Sequence, residues 1–267
     1  MAETPIRVAI HGAAGQMGQR LVALGSADDD LQIVAALESP KHPKFGEDAG
    51  LVARVRKINI PLTADLPGDV DVVIDFSVPA AAMAILKTCL AKKTPLVVAT
   101  TGLEEEQRKA VEDAALKIPI LHSPSMSLTV NLAMRMAEIA GRALAEHPSG
   151  ADVEIIETHH RFKEDAPSGT ALKFGKIIAD AMGISQHRHG REGRPGQRPR
   201  DEIGYHAVRA GDNPGEHTIL FGLLGESLEL RVRATNRDCY AQGALAAAKF
   251  LADKSPGYYG MNDVLGL

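Results

Sequence analysis

The first half of the chain alternates short apolar runs with longer amphipathic stretches. Ile6-Arg7-Val8-Ala9-Ile10 predicts a strand, followed by a glycine-rich turn and a helix from Met17 to Leu24. Leu31 to Leu37 predicts a second strand and Val70 to Phe76 a third. A helix over Pro79 to Lys92, a strand over Leu96 to Thr100, a helix over Glu104 to Leu116 and a strand over Ile118 to His122 complete the series. These strands are rich in Val and Ile and do not alternate cleanly with polar residues. Strands covered on both faces, as in a parallel sheet, have that pattern. The strand–helix rhythm predicts an α/β fold: a Rossmann-like, doubly wound parallel sheet at the N-terminus.

The rhythm changes after about Ser127. Val130 to Glu146 predicts one long helix, followed by a strand over Asp152 to Thr158, a polar loop, and a helix over Thr170 to Met182. Gln186 to Arg200 is rich in Gly and Pro, holds five Arg, and reads as a mobile loop. His206 to Ala210, Glu216 to Gly222 and Glu226 to Ala234 then predict antiparallel strands. The last of these alternates with period two, as a sheet with one wet face should. This half therefore reads as a C-terminal α+β domain with a mixed sheet. An apolar helix over Gly243 to Ala252 precedes a short end.

Composition narrows the function classes. A chain of 267 residues, 45% of them hydrophobic, has room for two domains with real cores. A net charge of −4 and an aromatic content of 4% with no Trp argue against a nucleic-acid surface. The opening Met1-Ala2-Glu3-Thr4-Pro5 has neither a basic nor an apolar leader region, and no apolar run is long enough to span a bilayer. With only Cys89 and Cys239 in the chain, both read as thiols in a reducing cytoplasm, away from membranes.

The clearest local chemistry in the first half is Gly12-Ala13-Ala14-Gly15-Gln16-Met17-Gly18, between a predicted strand and a predicted helix. Gly12 suits a tight turn, Gly15 lets backbone approach a pyrophosphate, and Gly18 lets helix and strand pack closely. The helix start adds free N–H groups and a positive dipole end. The spacing is G-x-x-G-x-x-G rather than G-x-G-x-x-G, so a plain helix-opening turn is the alternative. Glu38 ends the second strand, roughly 20 residues past the glycines, where an acid accepts from the adenosine ribose hydroxyls. It favours NAD over NADP by repelling a 2′-phosphate, although Lys41 and His42 lie close behind. Thr100-Thr101-Gly102 and Ser123-Pro124-Ser125-Met126 follow further strands, where open α/β sheets place ligands. Ordinary turn chemistry is the competing account of both.

In the second half, His159-His160-Arg161-Phe162-Lys163-Glu164-Asp165-Ala166-Pro167-Ser168-Gly169-Thr170 joins an apolar strand to a helix. Ser168, Gly169 and Thr170 form a loop-to-helix junction with exposed backbone donors, a carboxylate or phosphate site. His159 is a candidate acid near neutral pH, and Lys163 can polarise a substrate or donate a proton. Plain helix capping by Ser168 or Thr170, a charged surface loop and a histidine metal site are the alternatives. The last is disfavoured because neighbours on an extended chain point opposite ways.

At these residues the sequence closely resembles the 4-hydroxy-tetrahydrodipicolinate reductase (dihydrodipicolinate reductase) family of bacterial lysine biosynthesis. Glu157 to Ala171 looks like that family's main motif. The resemblance runs almost end to end, through Asp75-Phe76-Ser77, Arg209 to His217, Arg237, Gly243-Ala244 and the closing Tyr259 to Leu267. It implies reduction of a small cyclic dicarboxylate by hydride from NADH and/or NADPH. It implies His159 as proton donor, Lys163 as second acid, and His160, Ser168, Gly169 and Thr170 as substrate-binding residues. Gly12 through Met17, Glu38, Ala99 to Thr101 and Ser123 to Met126 match its cofactor positions, and no metal is implied. The expected division is a dinucleotide-binding domain over 1–126, to which 240–267 return, and a substrate-binding domain over 127–239 whose sheet builds a homotetramer. Gln16 and Ser39 stand where the family often carries Arg, which points away from strong NADPH binding, and Ala99 stands where Gly is usual. Another dehydrogenase of small carboxylates and a non-catalytic dinucleotide sensor are the competing functions.

Overall fold

The computed structural model describes residues 4–267; Met1, Ala2 and Glu3, part of the opening read above for a leader, lie outside the described residues. The chain forms two compact units, Met1–Leu128 with Arg237–Leu267, and Thr129–Asn236.

In the first unit, β1 (Ile6–His11), β2 (Leu31–Leu37), β3 (Leu62–Thr63), β4 (Val72–Asp75), β5 (Leu96–Val98), β6 (Pro119–His122) and, late in the chain, β12 (Gly257–Tyr259) make a parallel sheet. Their order is β12-β6-β5-β4-β1-β2-β3. Both faces are covered, which explains the unbroken apolar strands. Val8, Ile10, Val72 and Ile74 pack with Leu21 of α1 (Gln16–Gly25) and with Ala244, Leu245 and Ala248 of α7 (Asp238–Leu251). On the opposite face, Ala9, Val73 and Val98 pack with Ile85 and Cys89 of α3 (Pro79–Lys92) and Val111 of α4 (Glu105–Ala114). Strand order reverses between β1 and β4, and such a switch point leaves a crevice beyond the carboxyl ends of the strands.

In the second unit, β7 (Asp152–His159), β8 (Gln186–His189), β9 (Glu202–Arg209), β10 (Glu216–Gly222) and β11 (Ser227–Arg233) form a mixed sheet of order β11-β10-β7-β9-β8. Val153, Ile155, Tyr205, Ile219 and Phe221 on one face pack under α5 (Leu128–Leu144) and α6 (Gly169–Met182) through Met134, Ala137, Phe174 and Ile178. Among the described residues, no helix is long and apolar enough to cross a membrane, and no disulfide joins Cys89 and Cys239.

Three sequence expectations need correction. The segment expected as an antiparallel strand over His206 to Ala210 starts at Glu202 and runs parallel to both β7 and β8. The Gln186 to Arg200 stretch is not loop throughout. It opens with β8, and Arg191 and Arg198 then bond the carboxylate of Glu154 on β7, with Arg191 also reaching Glu202 and Arg198 reaching Asp152. Glu154 is half-buried, which alone would raise its pKa, yet Arg191, Arg198 and His206 hold it down to about 2. The last predicted helix begins at Asp238 rather than Gly243. The short elements α2 (Ala49–Val52), β3, β12 and α8 (Met261–Leu265) carry too few apolar residues to stand out as runs.

Candidate active site

The glycine turn sits at the switch point of the first unit. Gly12 has φ +78°, a left-handed conformation natural to glycine, and a Cβ there would lie 2.5 Å from the Phe76 carbonyl oxygen. A Cβ on Gly18 would overlap the Gly12 carbonyl oxygen. Gly15 caps α1 without any side-chain hydrogen bond, so the first N–H groups of the helix, which have no partner within it, remain available as anion donors. Gly12 and Ala13 both donate to the Leu37 carbonyl, which ties the turn to β2. Glu38, the next residue, accepts from Ala14 N–H at 3.0 Å and from Ser39 N–H at 2.9 Å. A carboxylate thus already sits against the turn and shows that its backbone holds an anion.

Two clefts flank this turn. One, of about 520 Å³, is lined by His11, Gly12, Gly15, Glu38, Ser39 and Ala64 among others. The second, of about 370 Å³, is lined by Gln16, Met17, Ala99, Thr100, Thr101, Pro124, Ser125, Met126 and Tyr240, together with Phe76 and Ser77. The predicted cofactor residues are therefore brought together, but not all through their side chains. Met126 is buried in the core. The Thr100 hydroxyl is spent inward, donating to Asp75 at 2.7 Å and accepting from Ser77 N–H at 3.0 Å. Ser123 donates to the Ser125 carbonyl at 2.7 Å, and Gln16 accepts from Arg237 at 2.7 Å. These clefts and the bare helix start fit a nicotinamide dinucleotide.

In the second unit, β7 brings Glu157 and His159 to the same face because they stand two residues apart on a strand. His159 Nδ1 donates to Glu157 Oε2 at 2.5 Å, and both side chains are buried. Burial favours a protonated Glu157. Two bonds from Arg209, at 2.8 and 2.7 Å, outweigh that with His159 and the Ser168 N–H, and hold the carboxyl below its usual range. Burial lowers the His159 pKa, the Glu157 bond works to raise it, and the cations Lys163 and Arg209 lower it further. Glu157 therefore fixes the tautomer and compensates the charge of the protonated ring.

Ser168 caps α6, accepting from Ala171 N–H at 3.2 Å, and its hydroxyl also lies 3.0 Å from His217 Nε2. Ser168 thus caps the helix, while the N–H groups of Gly169 and Thr170 at the helix start have no partner within the helix. Burial pushes His217 down to about 4, so the ring is neutral at physiological pH; it packs edge-on against His159 at 5.2 Å. Lys163 Nζ lies 2.7 Å from Asp165 Oδ1. The His160 N–H donates to the Asn213 carbonyl, and its Nδ1 is buried without a partner. Among the described residues no three His, Cys, Asp or Glu side chains cluster as a metal site.

The sequence gives no role to Glu157, Arg209, His11 or Asp75, and none in this site to His217. Glu157 had a local signal: in Val153, Ile155, Glu157, His159 the inward positions of β7 end in two polar residues. Arg209 and His217 meet the site only through strand pairing with β7.

The family description of the N-terminal part of dihydrodipicolinate reductase matches residues 6–126, and that of its C-terminal part matches residues 129–265. The 4-hydroxy-tetrahydrodipicolinate reductase of Rhodopirellula baltica is 54% identical over 271 residues, covering 98% of this chain and 97% of that protein. The corresponding protein of Alkalilimnicola ehrlichii is 44% identical over 267 residues, covering 98% and 99%. Among solved structures, a dipicolinate-bound dihydrodipicolinate reductase from Paenisporosarcina sp. TG-14 matches with a TM-score of 0.76 at 26% identity, covering 97% of this chain and 99% of that one. Matched in both units and along nearly its whole length, the chain belongs to the dihydrodipicolinate reductase family.

Proposed function

We propose that the chain is an NAD(P)H-dependent oxidoreductase that reduces 4-hydroxy-tetrahydrodipicolinate to tetrahydrodipicolinate in lysine and diaminopimelate biosynthesis. The observation that carries this reading is His159, clamped by the buried Glu157 beside the bare start of α6 in the family's own C-terminal segment.

The substrate is a dicarboxylate, and the Paenisporosarcina relative binds the flat dicarboxylate dipicolinate. In our reading, the N–H groups of Gly169 and Thr170 with the Ser168 hydroxyl take one carboxylate. Lys163 takes the other by exchanging its Asp165 contact for the substrate, with the orphaned Nδ1 of His160 as a neighbouring polar group. The reduced nicotinamide, when bound, supplies the hydride. His159, protonated and stabilised by Glu157, delivers the accompanying proton from Nε2, and Lys163 serves as second acid. Arg209 keeps Glu157 ionised throughout. In the first unit, the start of α1 and Ala14 hold the pyrophosphate, Glu38 turns to the adenosine ribose, and the second cleft receives the nicotinamide between Ala99, Thr100, Thr101 and the Ser123 to Met126 turn. The domain roles follow: the first unit binds dinucleotide and the second binds substrate. The outer face of the five-stranded sheet, with Ile156 and Val208 exposed, supports its use in a homotetramer. The enzyme works in the cytoplasm, without nucleic-acid or membrane partners.

A coupled assay tests the function. Pyruvate, aspartate semialdehyde and a dihydrodipicolinate synthase generate the substrate in place, and oxidation of NADH or NADPH is followed by absorbance. Wild type oxidises cofactor, and His159→Gln loses roughly two orders of magnitude in rate. A folded, NADH-binding wild type that oxidises neither cofactor would leave the sensor reading in its place.

A further inference from the structure

Asp75 ends β4 at the switch point, and its side chain is fully buried. A buried carboxylate is tolerated only when hydrogen-bonded. Here it accepts from Ser77 Oγ at 2.6 Å, from Thr100 Oγ1 at 2.7 Å and from His11 Nδ1 at 2.7 Å. All three donors line the two clefts beside the glycine turn, His11 and Ser77 the larger and Ser77 and Thr100 the smaller. One buried charge therefore sets the orientation of polar side chains in both.

His11 differs from the other two donors. Ser77 and Thr100 spend their hydroxyl protons on Asp75, whereas an imidazole has a second nitrogen. With Nδ1 committed inward the ring is tethered to Asp75, and the His11 carbonyl, accepting from Phe76 N–H at 3.1 Å, holds the backbone that carries it. Its side chain keeps 16% exposure, and Nε2 has no hydrogen-bond partner and is not sealed from solvent. It stands immediately before Gly12, on the cleft that also holds Gly15 and Glu38. We propose that His11 is a further cofactor-binding residue, aimed by Asp75 so that Nε2 meets the adenosine-diphosphate half of the dinucleotide at its ribose–phosphate junction. This rests on the dinucleotide reading of the first unit given above.

The competing role is purely structural, with His11 present only to satisfy Asp75. Two substitutions separate the two. His11→Asn keeps an amide nitrogen near the Nδ1 position for Asp75 and deletes the nitrogen facing the cleft. His11→Gln does the reverse, extending an amide to where Nε2 lies. Calorimetric titration of wild type and both variants with NADH and with ADP-ribose is the experiment, with thermal unfolding as a check on the fold. We expect His11→Asn to unfold within a few degrees of wild type yet bind both ligands roughly tenfold more weakly, the effect of one lost hydrogen bond. His11→Gln should bind more tightly than His11→Asn. Equal affinity of wild type and His11→Asn for both ligands overturns the proposal and leaves the cofactor reading standing, as does a loss confined to NADH. A folded wild type that binds neither ligand overturns the cofactor reading itself.

Discussion

Replacing Glu157 with Gln removes one charge while preserving shape, at the point where His159, the proposed proton donor, is held. The carboxylate accepts from His159 Nδ1 at 2.5 Å, from Arg209 at 2.8 and 2.7 Å, and from Ser168 N–H at 3.1 Å. A glutamine keeps one acceptor oxygen and turns an NH₂ group toward these donors, so at least one charge-assisted bond becomes a donor–donor contact. Such bonds contribute about 1.5–3 kcal/mol each. Breaking a buried ion pair from one side costs about 3–5 kcal/mol, and the partial exposure of Arg209 places the expected loss at or just below the bottom of that range. We therefore expect the variant to be about 2–3 kcal/mol less stable in urea. In kinetics, the protonated form of His159 loses its compensating anion, which corresponds to about 10–100-fold in kcat/KM near neutral pH. The pH profile carries the sharper test. A donor must be protonated, so the rate falls as pH rises through the His159 pKa. Burial already lowers that pKa and Glu157 acts to raise it. Its removal moves the descending limb to lower pH. A folded Glu157→Gln enzyme with an unmoved limb and a rate within about twofold of wild type would refute the claim that Glu157 governs the acid.

His217 is neutral because burial holds it down to about 4, below its ordinary value of 6.5. The unfolded chain therefore binds the proton more readily, and stability present above about pH 6.5 is lost as pH falls toward 4. Urea titrations across that window should show a steeper decline for wild type than for His217→Gln, and parallel declines would count against the assignment. For Gly18→Ala, whose Cβ would overlap the Gly12 carbonyl, we expect a loss of about 3 kcal/mol in urea unfolding together with loss of NADH binding. An unchanged midpoint would show that the turn can yield. Glu38 disfavours a 2′-phosphate, so wild type should bind NADH more tightly than NADPH, and Glu38→Gln should narrow the gap by roughly tenfold in calorimetric titrations. A gap that does not change would remove Glu38 as the discriminator.

The fold class is legible because the strands of the first unit supply both of its cores. Val8 and Ile10 point one way and Ala9 the other, so a run with no polar break declares a doubly covered sheet. The site is legible where it is local. The glycine turn and the loop from His159 to Thr170 are contiguous stretches with chemistry of their own. What was not legible depends on pairing at a distance. Arg209 is separated from Glu157 by 52 residues and His217 from Ser168 by 49, and no local pattern links them. Arg191 and Arg198 look like a mobile basic loop until β7 supplies Glu154. β9 reads as antiparallel because β10 and β11, which follow it in sequence, are, and only the crossover from β7 to β9 makes that pair parallel. β3 and β12 occupy the sheet edges, where two or three residues suffice and no apolar run is required.

The alternation along β7 has a further consequence. The same period of two that buries Val153 and Ile155 delivers Glu157 and His159 to one side of the strand. A one-residue slip of the whole of β7 against its neighbours would turn Glu157 and His159 to the opposite face, and by the same step carry Val153 and Ile155 out into water. Slippage cannot therefore produce a folded protein with a misaligned acid.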